Sequence, residues 1–155
     1  MYWGGYWATS QTIVHSEIVK IEQWKLVLGS GNLTVIKAKD GTVTADGDWT
    51  YTYQGQQVSG TYTNALVTIA GASISITASG TATNPSAFPG YQTSPFTFSS
   101  NGRACNGQGS GTFVITFTAY GWPSSISGTW KGSRTFGSGI TAAAIPWIQL
   151  LLLDD

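Results

Sequence analysis

Apolar residues along this chain recur at every second position. Trp49, Tyr51 and Tyr53 alternate with Thr50 and Thr52, and Ile74 and Ile76 alternate with Ser73, Ser75 and Thr77. Phe113, Ile115 and Phe117 are separated by Val114 and Thr116. A period of two sends successive side chains to opposite faces of an extended chain, which is how a half-buried strand is written. The residues that fill the pattern are Thr, Val, Ile, Tyr and Trp, all of which pack well on a pleated surface. No segment before residue 140 combines helical spacing with capping residues. Residues 16–28 are the nearest approach, but their Ile18, Val19, Ile21 and Val27 predict two strands instead.

Gly-Thr-x-Thr occurs at Gly41, Gly60 and Gly80, with truncated echoes at Gly111 and Gly128. Glycine suits the turn and threonine opens the strand, so this spacing of about one hairpin describes a meander. About ten short strands are expected. Turns are predicted at Lys39-Asp40-Gly41 and Ala45-Asp46-Gly47-Asp48. Residues 84–95, with Pro85, Pro89, Gly90 and Pro95, predict a long irregular loop. The glycine-rich residues 101–111 predict a second.

The fold expected is all-β: one antiparallel meander over residues 1–139, closing into a barrel, with a two-sheet β-sandwich as the alternative. Closure is preferred because the strands offer few Lys or Glu residues to block stray edge pairing. Gly60-Thr61-Tyr62-Thr63 and Gly128-Thr129-Trp130-Lys131 resemble strand starts in avidin- and lipocalin-type barrels. The resemblance covers these residues alone and brings no ligand site with it. Residues 140–155 stand apart as a hydrophobic segment, either packed on the core or foreign to the domain. They are too few to span a bilayer as a helix.

Composition sharpens the picture of the surface. The 155 residues hold 7 Lys+Arg and 7 Asp+Glu, and residues 49–102 and 104–130 contain none of the four. So few cations exclude a phosphate-binding surface, and nucleic acid is not expected as a partner. One Cys and one His leave no cysteine-based metal site, and neither a metal nor another cofactor is expected. The sequence opens without the basic and apolar regions of a signal peptide. Its Thr, Ser, Gly and Trp content nevertheless suits an extracellular or cell-surface protein. Asn32-Leu33-Thr34 is a glycosylation sequon.

Candidate chemistry is sparse. His15 and Glu17 would share one face of a strand and form a base with its orienting carboxylate, with Asp48 as a third catalytic candidate. Such a group would serve a small barrel hydrolase acting on an ester, lactone or glycoside. Asp46-Gly47-Asp48 is read as a turn in which Asp caps its own backbone. Gly107-Gln108-Gly109-Ser110-Gly111 has glycines around a serine but lacks the strand–turn–helix setting of a nucleophile elbow. Cys105, beside Arg103, is a small residue in a loop.

Aromatics are the richer resource, with 7 Trp, 7 Tyr and 6 Phe. Indole and phenol rings stack on the CH faces of sugars, and Thr, Asn and Gln satisfy sugar hydroxyls. Trp49, Tyr51, Tyr91 and Trp122 are the ligand-binding candidates, although a period-two stripe such as Trp49-Tyr51-Tyr53 also reads as core. The leading expectation is a non-catalytic module binding neutral carbohydrate or a small amphipathic ligand. The alternatives are the hydrolase and a self-assembling subunit of a capsid, fibre or filament. A homo-oligomer is a further expected partner.

Overall fold

The computed structural model describes residues 17–27 and 30–143. It is an eight-stranded antiparallel barrel built of β1 (Ile18–Val27), β2 (Ser30–Ala38), β3 (Val43–Tyr53), β4 (Gln56–Ala70), β5 (Ser73–Thr83), β6 (Thr93–Cys105), β7 (Gln108–Ala119) and β8 (Trp122–Gly137). Each strand pairs with the next in sequence, and β1 pairs with β8 to close the wall. The barrel expectation holds, and the sandwich alternative does not. Closure leaves no open sheet edge among these strands.

Eight long strands replace the ten short ones expected. Residues 18–27 run as a single strand rather than two. Ala45-Asp46-Gly47-Asp48 is not a turn but the middle of β3. Its carboxylates serve neighbouring strands: Asp46 accepts from the Asn64 backbone N–H at 2.9 Å, and Asp48 from that of Asn32 at 3.3 Å. Asn64 has a positive φ of 56° and lies where the β4–β5 register shifts, so Asp46 ties down a bulge in β4. The loop expected at residues 101–111 is also absent. β6 and β7 continue through it and meet at the two-residue turn Asn106-Gly107.

The glycines of that stretch have a packing role. Gly102, Gly109 and Gly111 lie on β6 and β7 beneath the indole of Trp130. A Cβ on Gly102 would meet Trp130 Cζ2 at 2.7 Å, and one on Gly111 would meet Trp130 Nε1 at 2.8 Å. Only a wall without side chains lets this ring lie flat against it. Gly60 does the same for Trp49. Glycine spacing thus marks seats for aromatic rings as well as turns.

Inward positions are mostly apolar, with Glu22 and Ser100 buried among them. Trp49, Phe96, Phe113, Ile115 and Val35 are fully enclosed. Trp49 meets Phe96 edge-on with centroids 5.2 Å apart, and Tyr53 meets Phe117 likewise at 5.2 Å. Two gaps, one in the interior beside Trp24 and Trp130 and one at the barrel mouth beneath Ala87, are about 20 and 30 Å³, each with room for roughly one water molecule. Outward strand positions are mostly Thr, Ser, Asn and Gln. A transmembrane barrel carries its apolar band on the outside, the reverse of this arrangement. No described helix is long and apolar enough to cross a membrane.

Residues 138–143 leave β8 and fold over one end of the barrel. Ile140 packs against the core and Thr141 is buried. Ala142 forms a parallel bridge with Cys105 and accepts from the Asn106 N–H at 2.9 Å. The remainder of the 140–155 segment lies outside the described residues.

Candidate binding rim

An up-and-down barrel gathers alternate connections at each end. One end collects the β3–β4 turn, the β5–β6 loop and the β7–β8 turn; the other collects the β2–β3, β4–β5 and β6–β7 turns and the 138–143 strap. The first end carries the exposed aromatics. Trp122 is 75% exposed, Phe88 70%, Tyr91 49% and Tyr120 39%. Phe88 and Tyr91 flank Tyr120, with ring centroids 5.7 and 5.5 Å away. Trp122 follows two residues after Tyr120, at the start of β8.

Two of these rings ride on a loop that is braced internally. Within residues 84–92, Asn84 Oδ1 accepts from the Ser86 N–H at 3.0 Å, and the Ala87 N–H donates to the Asn84 carbonyl at 3.1 Å. Gln92 Nε2 donates to the carbonyls of Pro85 and Ala87, and the Asn84 N–H closes the loop on the Gln92 carbonyl at 2.8 Å. Asn84 Nδ2 then anchors the whole to Gln56 Oε1 on β4 at 2.7 Å. Ala87 is pressed into the barrel mouth as a plug. Phe88 and Tyr91 are therefore held outward by a network that needs no ligand to form, and little ordering entropy remains to be lost on binding.

Tyr120 is placed by a different device. Tyr120-Gly121 is a two-residue hairpin turn with φ of 51° and 82°. Asn or Gly is the comfortable occupant of the first position, and a bulky side chain there is strained. The strain holds an aromatic ring on the rim.

On the outer wall just below the rim lies a groove of about 480 Å³. Thr97, Thr116, Thr118 and Ser125 line it between Pro95 and Pro123, and no lining residue is charged. Thr118 pairs with Pro123 and Ala119 with Trp122, so the groove starts one register step from the Trp122 ring.

The sequence candidates are dispersed. Tyr91 and Trp122 stand together on the rim. Trp49, 1% exposed, is in the core, and Tyr51 is half-buried with its ring 6.0 Å from Phe113. Neither presents a face to a ligand outside the barrel, because their shared parity is the inward one. His15 lies outside the described residues. Glu17 is exposed and pairs with Lys39 at 3.8 Å. Asp48 is exposed on the outer wall, next to Asn32 and hence to Lys25, which is eight positions along β1 from Glu17. At strand rise that is roughly 25 Å along the wall. The structure does not bring Glu17 and Asp48 together. Among the described residues, no three of His, Cys, Asp and Glu converge where a metal could be held. Cys105 is half-buried and its Sγ donates to the Ala143 carbonyl at 3.1 Å.

The most enclosed charge has a structural role that its sequence reading as a spare carboxylate did not anticipate. Glu22 is 0% exposed at the end opposite the rim. Its carboxylate accepts from Trp24 Nε1 at 3.0 Å, the Ile140 N–H at 2.7 Å, the Thr141 N–H at 3.0 Å and Thr141 Oγ1 at 2.7 Å. Arg134 Nη1 stands 3.6 Å away. Burial by itself would raise its pKa; the hydrogen bonds from Thr141, Ile140 and Trp24 outweigh it and hold the carboxyl below the ordinary range. With every donor committed to the strap or to the wall, Glu22 is a latch. Its signal was in the sequence, since Glu22 shares strand parity with Trp24 and Leu26. Phe88 and Tyr120 were missed because nothing local distinguishes an exposed loop aromatic from a buried one.

No protein-family model, no curated protein and no solved structure matches this chain.

Proposed function

We propose that the protein is a non-catalytic binding module that holds a neutral carbohydrate on the aromatic rim formed by Phe88, Tyr91, Tyr120 and Trp122. The observation that carries this reading is the exposure of these four rings together, on a braced loop and a strained turn, at one end of a filled barrel. Apolar surface gathered in one place marks an interaction site. Its surroundings select the ligand class. Gln54 and the Gln92 side-chain carbonyl offer neutral donors and acceptors, and no charged side chain lines the rim. Rings stack on sugar CH faces while amides and hydroxyls meet sugar hydroxyls. The filled interior supports a ligand held outside the barrel, since the two gaps admit about one water each.

The test is retention of the full chain on a panel of immobilised neutral polysaccharides, with Trp122→Ala and Tyr91→Ala compared by affinity electrophoresis. Both variants should melt like the parent, because both side chains are exposed, and both should lose affinity by on the order of tenfold, as one stacking contact of about 1–1.5 kcal/mol implies. Passage of the parent through every matrix would overturn the reading.

A further inference from the structure

The outer wall below the rim carries aligned hydroxyl side chains. β5–β6 pairing sets Ser79 beside Thr97, β6–β7 sets Thr97 beside Thr116, and β7–β8 sets Thr116 beside Ser125. All four side chains point outward and are exposed. They form one row of hydroxyls across four strands at the inter-strand step of about 4.8 Å. Further along the same strands, Ser75, Asn101, Thr112 and Thr129 form a second complete row. A smaller depression of about 310 Å³, lined by Thr68, Ser75 and Asn101 among others, lies beside that second row.

Three observations converge at the first row. A shallow, open depression of about 480 Å³ lies on the wall there. Its edges are Pro95 and Pro123, flat apolar rings that match the CH faces of a sugar, while its floor carries the Thr97 and Thr116 hydroxyls. Those two hydroxyls touch each other. One donates to the other, which leaves a free donor on one and acceptor capacity on both, the mixed pattern a sugar hydroxyl satisfies. Finally, the groove ends near the rim, because its Thr118 and Pro123 lie one register step from the Ala119–Trp122 pair.

We propose that this groove is a second binding element, and that it takes an extended stretch of a neutral polysaccharide running from the aromatic rim onto the hydroxyl rows of β5–β8. The proposal rests on the carbohydrate reading of the rim and adds to it that the ligand is a chain, not a single sugar. A monosaccharide or disaccharide fills the rim alone; a polymer also occupies the groove. No charged side chain lines the groove, so a uronic-acid or sulfated chain would gain no ion pair there.

The test uses the full chain carrying Thr97→Val together with Thr116→Val. Valine keeps the branched shape and strand preference of threonine and removes only the hydroxyl, and both sites are exposed, so the barrel is preserved. Affinity is measured for a retained neutral polysaccharide and for the disaccharide of the same linkage. The double variant should bind the polymer on the order of fivefold to tenfold more weakly, the loss expected for one or two ligand hydrogen bonds, and the disaccharide equally well. Filling the groove with Thr116→Tyr should weaken polymer binding in the same selective way. Polymer affinity unchanged in both variants would overturn the groove proposal and leave the rim reading standing. Failure of the parent to bind any neutral glycan would overturn both.

Discussion

Glu22 and Thr141 are separated by most of the chain and joined by two hydrogen bonds, from the Thr141 hydroxyl at 2.7 Å and its backbone N–H at 3.0 Å. The pair clamps the strap to the barrel end opposite the rim. Because every neighbour of the carboxylate is a donor, only the ionised form fits. Glu22→Gln would point an NH₂ group at N–H donors. It should destabilise the fold by about 1–3 kcal/mol at neutral pH, the cost of unpaired buried donors, read as a fall in urea midpoint.

The same contacts fix a pH dependence. The folded pKa of Glu22 is lowered, so the folded state binds fewer protons than the unfolded chain on acidification. Its stabilisation is complete above the ordinary carboxylate value of about 4.3 and is lost as pH falls through the lowered folded value. Melting temperature measured across that acid window should drop for the parent, and the drop should shrink in Glu22→Gln. Parallel curves for the two proteins would remove Glu22 from the acid response.

The glycine seats predict an order of severity. A Cβ on Gly111 would collide with backbone atoms of Asn101 and Gly102 and with the Trp130 indole, whereas one on Gly109 would meet its nearest neighbours at 3.1–3.2 Å. Gly111→Ala should therefore cost about 1–3 kcal/mol by overpacking, and Gly109→Ala distinctly less. Denaturant titration of the two variants side by side checks this, and equal midpoints would mean that Trp130 is not seated on this part of the wall.

Much of this barrel is written in its alternation. The alternation of Trp49-Tyr51-Tyr53 and of Phe113-Ile115-Phe117 gives the strands, and poor edge protection gives closure. What parity does not give is the role of a glycine. Gly102, Gly109 and Gly111 read locally as loop residues, but their partner Trp130 lies 19 to 28 residues away, so only packing reveals a strand. Asp46 and Asp48 misled for the same reason. Asp-Gly-Asp is turn chemistry by composition, yet its hydrogen bonds go to Asn64 and Asn32 on adjacent strands. At the candidate site, Tyr91 and Trp122 were legible from their turn-rich neighbours. Trp49 and Tyr51 were not, because an aromatic stripe shows its period without showing which side of it faces water.

Tyr120 links strain to the rim. Its positive φ costs about 1–2 kcal/mol for a residue with a Cβ, and asparagine or glycine at this turn position would relieve it. Tyr120→Asn should raise the melting temperature by a few degrees. It should also weaken carbohydrate retention, because Tyr120 is the ring that Phe88 and Tyr91 pack beside. Improved stability with undiminished binding would take Tyr120 out of the rim.

Tyr62 supplies a prediction at the alkaline end. Its ring stacks on Phe98 with centroids 5.8 Å apart, and its hydroxyl lies over Gly47, where a Cβ would be only 2.5 Å away. Burial, with the nearby Asp48 and Asp46 carboxylates adding to it, pushes the Tyr62 phenol well above its ordinary value. In the unfolded chain the phenol ionises near pH 10. Between that pH and the raised folded value, the native state keeps a proton that the unfolded state releases, so stability falls as pH rises above about 10. Tyr62→Phe removes the titrating hydroxyl and should flatten that decline while keeping the ring contact with Phe98. Phenolate absorbance followed during the titration provides the second readout. One tyrosine of the parent should ionise only as the barrel unfolds, and that late step should be missing in Tyr62→Phe.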